Sequence, residues 1–448
     1  MTDSLDERIT RSRTLLSDHD LAGLADLLSD LREHEVTRLL ERLDADDRAV
    51  LFRLIEKDTA LGVFESLDPP LRGELVDALR DDHVVALFED LDPDDRVELL
   101  DELPASVARR LLSGLSDGER TLTAPMLGYP RGSVGRRMSP EYVRLRPDTT
   151  AAEALAAVRR DGRDAATVHV LPVADDTLVC TGSVTLGDVA TAEPGVRVGD
   201  FVADAPTVTA TTDAEVAARL CLEYRTAAVV VTDSERRVLG VLTVDTAARI
   251  LEDAEDEDAA RAGGSEPLRR PYLSTPVGTL VRSRVVWLLV LAVSAVLTVQ
   301  VLEIFEDTLS AVVTLALFIP LLTGTGGNTG SQAATTVTRA LAVGDVRTRD
   351  LGRVLFREVR VGASMGALLG ALGFVVAGLV YDWHLGLVIG ATLLAVCTIA
   401  AAVGGVMPLC AKAIGVDPAV FSTPFISTFC DATGLIVYFT IASAILDI

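Results

Sequence analysis

Five apolar runs dominate the last part of the chain, at about residues 285–302, 309–334, 361–381, 385–409 and 418–446. A helix needs about 20 apolar residues to cross ~30 Å of hydrocarbon, so runs of this length mark an integral membrane protein. Residues 1–270 are different: they carry 32 Lys and Arg against 55 Asp and Glu, whereas residues 271–448 carry 9 against 10. Nearly the whole net charge of −24 therefore precedes the first run. A nucleic-acid binder needs a basic face, and this balance excludes one. Cys180, Cys221, Cys397, Cys410 and Cys430 show no CxxC spacing, which argues against a disulfide framework or a zinc site and for a reducing compartment. No basic segment followed by an apolar stretch opens the chain, so no cleavable signal is expected and the first crossing falls near Val285.

The acidic part opens with a repeat. Leu39 to Arg48, Val63 to Arg72 and Leu87 to Arg96 align at a period of 24 residues, and a degenerate copy follows at Leu111 to Arg120. In each copy an apolar helix end runs into Leu-Asp or Leu-Ser and then the next helix, with Pro in the first turn of two copies. Short helix pairs cannot bury their apolar faces alone, so an all-α, superhelical stack is expected over 1–132.

Residues 133–250 turn to β-branched runs punctuated by Gly and Asp. Two half-similar units are legible, one ending in Gly182 to Asp188 and the other in Gly240 to Asp245, each reading strand, helix, two short strands, helix. The first unit carries Thr185-Leu186-Gly187-Asp188, and the second Thr243-Val244-Asp245-Thr246. The pattern resembles a tandem pair of cystathionine-β-synthase-type (CBS) modules. That resemblance implies an α/β domain that binds an adenine nucleotide such as ATP, with Thr185 and Asp188 gripping ribose and phosphate. Thr246 stands where the motif has Asp.

Residues 251–281 form an acidic connector, with six acids in the eight residues 251–258, ahead of Gly263-Gly264. The run lacks the spacing of an EF-hand. Acids facing acids across a domain interface repel until a divalent cation bridges them, so a cation sensor is expected. Arginines precede the first run and crowd the second-to-third connection, and Lys412 lies between the fourth and fifth. The positive-inside rule then puts the amino terminus in the cytoplasm and, with five helices over 282–448, the carboxy terminus outside the cell membrane.

Asp431 is the one acid within the last run before its end, about 13 residues past Pro418 and so ~20 Å along a helix. A charge at such depth costs at least ~2.5–3.5 kcal/mol, so the carboxyl must face a partner or water. A protonated acid bonded to a neighbouring helix is one reading. A cation pathway is the favoured one, with Ser422, Thr423, Ser427, Thr428, Thr433 and Thr440 as a polar stripe around it. The second run contains Pro320-Leu321-Leu322-Thr323-Gly324-Thr325-Gly326-Gly327-Asn328-Thr329-Gly330-Ser331-Gln332, where irregular backbone lining a cavity is expected; close helix packing through the glycines is the alternative, less satisfactory for Asn328 and Gln332.

That stretch, together with Pro424 to Asp431 and Gly434 to Phe439, resembles the MgtE family of magnesium transporters, as does the order of domains. The resemblance implies a homodimer in the bilayer, a Mg²⁺-selective channel or carrier with Asp431 at the ion, Asn328 lining the pore and the Ser427 carbonyl beside it. It further implies Mg²⁺-sensing acids at Asp90, Asp94 or Asp95, at Asp213 and Glu215, at Glu257 and Asp258, and at Asp417, which close the pore at high cytosolic Mg²⁺. Thr246 and Ala254 depart from the family's acids. Two alternatives stand beside this: a transporter of Co²⁺, Zn²⁺ or Ca²⁺, disfavoured for the soft metals by the lack of His or paired Cys near Asp431, and a membrane-anchored CBS receptor that reads nucleotides. No second acid or nucleophile accompanies Asp431, which argues against an enzyme.

Overall fold

The structure, a computed structural model, describes all residues except 1–4, 19, 80, 269–271, 273–274, 417–422 and 448. It divides into two compact units, one of Met1–Glu255 with Arg269–Thr275, the other of Asp256–Leu268 with Pro276–Ile448.

The first unit begins with helices α1 (Leu5–Ser17), α2 (Leu21–Ser29), α3 (Glu33–Glu41), α4 (Ala45–Phe52), α5 (Lys57–Ser66), α6 (Pro69–Ala78), α7 (Asp81–Asp90), α8 (Pro93–Glu102), α9 (Ala105–Gly114) and α10 (Asp117–Met126). From α3 on, the first helix of each pair starts 24 residues after the last, and so does the second, as the repeat predicts. The 24-residue spacing also reaches back from α4 to α2, an earlier copy that the sequence does not reveal. One apolar core runs through the stack, with Leu40, Phe64, Phe88 and the partly buried Leu112 at matching positions of successive pairs.

An arginine recurs with the repeat. Arg48 Nε donates to Leu40 O at 3.0 Å, Arg96 Nε to Phe88 O at 3.0 Å and Arg120 Nε to Leu112 O at 3.2 Å. Each thus caps carbonyls left unpaired at the end of the preceding helix. Arg72 breaks the pattern: its Nε has no hydrogen-bond partner among the described residues, and its guanidinium turns to Glu98 at 2.6 Å and Asp95 at 3.6 Å.

The two half-similar units are small α/β modules. The first has helix α11 (Ala151–Asp161), strands β1 (Val170–Ala174) and β2 (Cys180–Thr185), and helix α12 (Leu186–Thr191). The second has β3 (Thr207–Thr209), helix α13 (Ala214–Glu223), β4 (Ala228–Thr232), β5 (Val238–Thr243) and helix α14 (Val244–Ala262). β1 pairs antiparallel with β2; β3 runs parallel to β4, which pairs antiparallel with β5. Thr150 caps α11 and Asp213 caps α13 through their side chains. α14 runs without a break from the second module into the acidic connector.

The second unit is helical: α15 (Val277–Ile304), α16 (Glu306–Ala311), a 3₁₀ segment (Val313–Phe318), α17 (Ile319–Ala342), α18 (Leu351–Val380), α19 (Trp383–Ala413) and α20 (Thr423–Leu446). Among the described residues four helices are long and apolar enough to cross a membrane: α15, α18, α19 and α20. α17 matches them in length but not in hydropathy, because Gly, Thr, Asn and Gln fill it. The expected irregular backbone within residues 320–332 is not there. Pro320 falls in the first turn of α17, where its missing N–H is harmless, and the glycines continue the helix. The break lies upstream, in the 3₁₀ segment, whose Leu315 carbonyl accepts from Tyr438 Oη of α20 at 3.0 Å.

The glycines instead permit close approach. A Cβ on Gly330 would lie 2.9 Å from Cys430 Sγ of α20, and one on Gly326 2.7 Å from Val396 of α19. α18 and α19 meet the same way: Cβ atoms on Gly362 and Gly370 would lie 2.5 Å from Cys397 O and 2.6 Å from Gly390 O. Membrane helices lack a hydrophobic drive toward one another, so small residues that bring backbones together supply the packing.

Candidate functional site

Asp431 is half-buried, eight residues past the start of α20. At 1.5 Å per residue this is about 12 Å along the described helix; Pro418, from which ~20 Å is reckoned, lies outside the described residues. Ser427 lies one turn earlier and packs onto Gly327 of α17. Two hydroxyls of the expected stripe are bonded within their own helix: Thr428 and Thr440 donate to the carbonyls of Pro424 and Ile436, at 2.9 and 2.6 Å. Ser422 lies outside the described residues, as does Asp417.

α17 presents a second polar surface. Gly324, Asn328, Gln332 and Thr336 recur at four-residue steps, on one face, and all are exposed in the single chain. A helix of this length that faced lipid with Asn328 and Gln332 would leave amides unsatisfied in hydrocarbon. Within this second unit the end of the connector touches the helices. Glu266 N donates to Ser283 O of α15 at 3.0 Å, Trp287 Nε1 donates to Glu266 Oε1 at 3.1 Å, and Gly264 abuts Pro424 in the first turn of α20. Glu257 pairs with Arg261 one turn on, and Asp258 is exposed.

In the first unit the expected sensor acids part company. Asp90 is exposed at the end of α7. Asp95 is buried, and its carboxylate gathers with Glu65 of α5 and Asp92, ligand oxygens within 4.8 Å of one another. Asp92 and Asp68 stand at the N-cap positions of α8 and α6, but their side chains make no cap bond. Burial first, then Asp95 and Asp92, push Glu65 up to about 7 and Asp94 up to about 8. Burial would raise Glu98 too, yet Arg137 and Arg72 overcome it and hold the carboxyl down at about 2. Glu65, Asp92 and Glu98 were missed by the sequence reading; the one signal for Glu98 is its place one turn after Asp94 and Asp95. Asp213 and Glu215 stay apart from this cluster's chemistry: Asp213 accepts from Glu215 N and Val216 N, and Glu215 pairs with Arg219 at 2.5 Å.

Thr185 Oγ1 donates to Asp188 Oδ2 at 2.6 Å, and both residues are exposed. The corresponding Thr243 and Thr246 are buried, their hydroxyls 3.1 Å apart. An open end with a carboxylate and hydroxyls fits a nucleotide's ribose; the sealed pair of hydroxyls does not.

Three family models cover most of the chain: the MgtE intracellular N domain at residues 13–132, the CBS domain at 132–195 and 198–253, and the MgtE divalent cation transporter at 319–441. The magnesium transporter MgtE of Thermus thermophilus is 35% identical over 343 residues, 76% of each chain. The chain belongs to the MgtE family of magnesium transporters. MgtE of Enterococcus faecalis is 30% identical over 71% of this chain and 70% of its own. A crystal structure of the cytosolic domain of the Mg²⁺ channel MgtE in complex with ATP superposes with a TM-score of 0.51 at 27% identity, over 54% of this chain and 99% of that one. The helical layer, tandem CBS modules and apolar helices are thus the parts of an MgtE-type transporter, a multi-pass membrane protein.

Proposed function

We propose that the chain carries Mg²⁺ passively into the cell through a pore shared by two copies, with Asp431 of each copy at the ion. The observation that carries this is Asp431 on α20 beside α17, whose face of Asn328, Gln332 and Thr336 is left uncovered by its own chain. A second copy set face to face would enclose these groups around water and cargo, and so remove the cost of showing them to lipid. Mg²⁺ dehydrates reluctantly and prefers octahedral oxygen ligands, so carboxylates and amides spaced for a hydrated ion suit it. An inward-negative potential contributes ~2.3 kcal/mol per charge per 100 mV, enough to drive a divalent cation without ATP hydrolysis.

Closure at high cytosolic Mg²⁺ follows from acids near the connector. Glu257, Asp258 and, ahead of α20 in the sequence, Asp417 would bind the ion and bias the connector, whose Gly264 already touches Pro424. An adenine nucleotide would sit at Thr185 and Asp188, exchanging their mutual bond for bonds to its ribose. The amino terminus lies in the cytoplasm and the carboxy terminus outside.

The test is Mg²⁺ influx into proteoliposomes under an imposed potential. Wild type should load Mg²⁺ in preference to Ca²⁺, Co²⁺ and Zn²⁺, and Asp431→Ala should cut influx at least about tenfold, as loss of a pore ligand does. Equal Mg²⁺ influx in both proteins would end the reading.

A further inference from the structure

Acids recur every three residues along one face of α8, at Asp95, Glu98 and Asp101, and each meets an arginine from outside the helical layer. Arg249 Nη1 of α14 lies 3.3 Å from Asp95 Oδ1, Arg137 pairs with Glu98, and Arg136 Nη1 lies 2.6 Å from Asp101 Oδ1. The last two arginines belong to a short segment bonded into the second CBS module, where Gly135 N donates to Ala210 O at 2.9 Å. Beneath the ion pairs runs a dry contact: Val97 of α8 and Met126 of α10, both fully buried, are part of the same apolar core as Met138, Ala217, Leu242 and Ile250. From the other side Arg72 has given up the carbonyl bond that its counterparts make and turned to Asp95 and Glu98.

We propose that Arg136, Arg137 and Arg249 are tethered counter-ions that hold the helical layer closed on the second CBS module without any divalent cation. Two acidic surfaces brought together repel until a cation bridges them. Here the bridging cations are part of the chain, and a guanidinium fixed within reach of a carboxylate competes at a high effective concentration that does not fall when free Mg²⁺ falls. Planar guanidinium also matches carboxylate geometry without the dehydration that Mg²⁺ resists. The apolar contact adds a driving force that no ion concentration alters. Mg²⁺ at the remaining acids, Glu65 and Asp92, then adds to a layer already closed, and the sensing set out under the proposed function falls on the connector. That last clause rests on the transport reading; the closure itself does not.

Amide hydrogen exchange of α8 in the full-length protein in detergent, with EDTA or with MgCl₂, tests the closure directly. Wild-type α8 should exchange at the same rate in both buffers, within about twofold. Arg137→Gln with Arg249→Gln should speed α8 exchange in EDTA at least about tenfold, the effect of losing ~1.4 kcal/mol, while Arg137→Lys with Arg249→Lys keeps most of the protection. The proposal is overturned by wild-type α8 that opens in EDTA and closes in MgCl₂, which needs no variant to fold, or by a double Gln variant as protected as wild type. None of these readouts depends on Mg²⁺ flux, so failure of the transport reading would leave a distinct mark, in the proteoliposomes alone.

Discussion

Single side chains decide much of the energetics of this protein, and the buried arginines of the helical layer show how. Arg48 is 2% exposed and satisfies the Leu40 and Leu43 carbonyls as well as Glu74. Removing it strands buried acceptors and a carboxylate, so Arg48→Ala should destabilise the cytosolic helices by about 3 kcal/mol, read as a lower urea midpoint by circular dichroism. The titrating acids around α8 pull in opposite directions. Glu98 is held at about 2 when folded, so its contribution is complete above its unfolded value near 4.5 and is lost as pH falls toward 2. Glu65 and Asp94 are raised to about 7 and about 8, so the stability they give is present below about 4 and lost as pH rises through 7 and 8. The melting temperature of the cytosolic helices should therefore fall between pH 5 and pH 8.5, and Glu65→Gln with Asp94→Asn should flatten that fall. An unchanged slope in the double variant would show that other groups set it.

At the level of elements, α17 repays comparison with what its composition suggests. Residues 320–332 hold Pro and four glycines, which read as a broken membrane helix, yet α17 runs unbroken from Ile319 to Ala342. Helix-breaking propensity lost to packing: each glycine on the inner face lets α19 or α20 approach within backbone contact, and that contact outweighs a cost of about 1 kcal/mol per Gly. A larger residue there should fail. Gly330→Val would drive a side chain into Cys430, Ile426 and the Ala400 carbonyl. Overpacking of this kind costs about 1–3 kcal/mol, and the variant should show a lower thermal midpoint in detergent and reduced Mg²⁺ influx even though Asp431 is intact. The repeat, by contrast, was legible because each helix pair supplies its own apolar period. Only α1 and α2 escaped: α2 keeps the 24-residue spacing to α4, but the sequence has His19-Asp20 where the other copies have Leu-Asp or Leu-Ser.

Across the whole molecule, the sequence by itself determined what is local or periodic: the charge split, the membrane segments, the 24-residue helix pairs, the two CBS modules and the isolated carboxyl of Asp431. Apolar period and turn chemistry act over a few residues, so they can be read along the chain. Tertiary structure alone decided which acids meet and what they meet. Glu65 and Asp95 lie on different helix pairs, and Arg249 reaches Asp95 from 154 residues away in the chain. No local signal distinguishes these among 65 acids, because pairing over such a separation is set by how elements pack. For the same reason Asp94 and Asp95, alike in sequence, part in role once α8 is seated, one raised to about 8 and the other bridged by arginines.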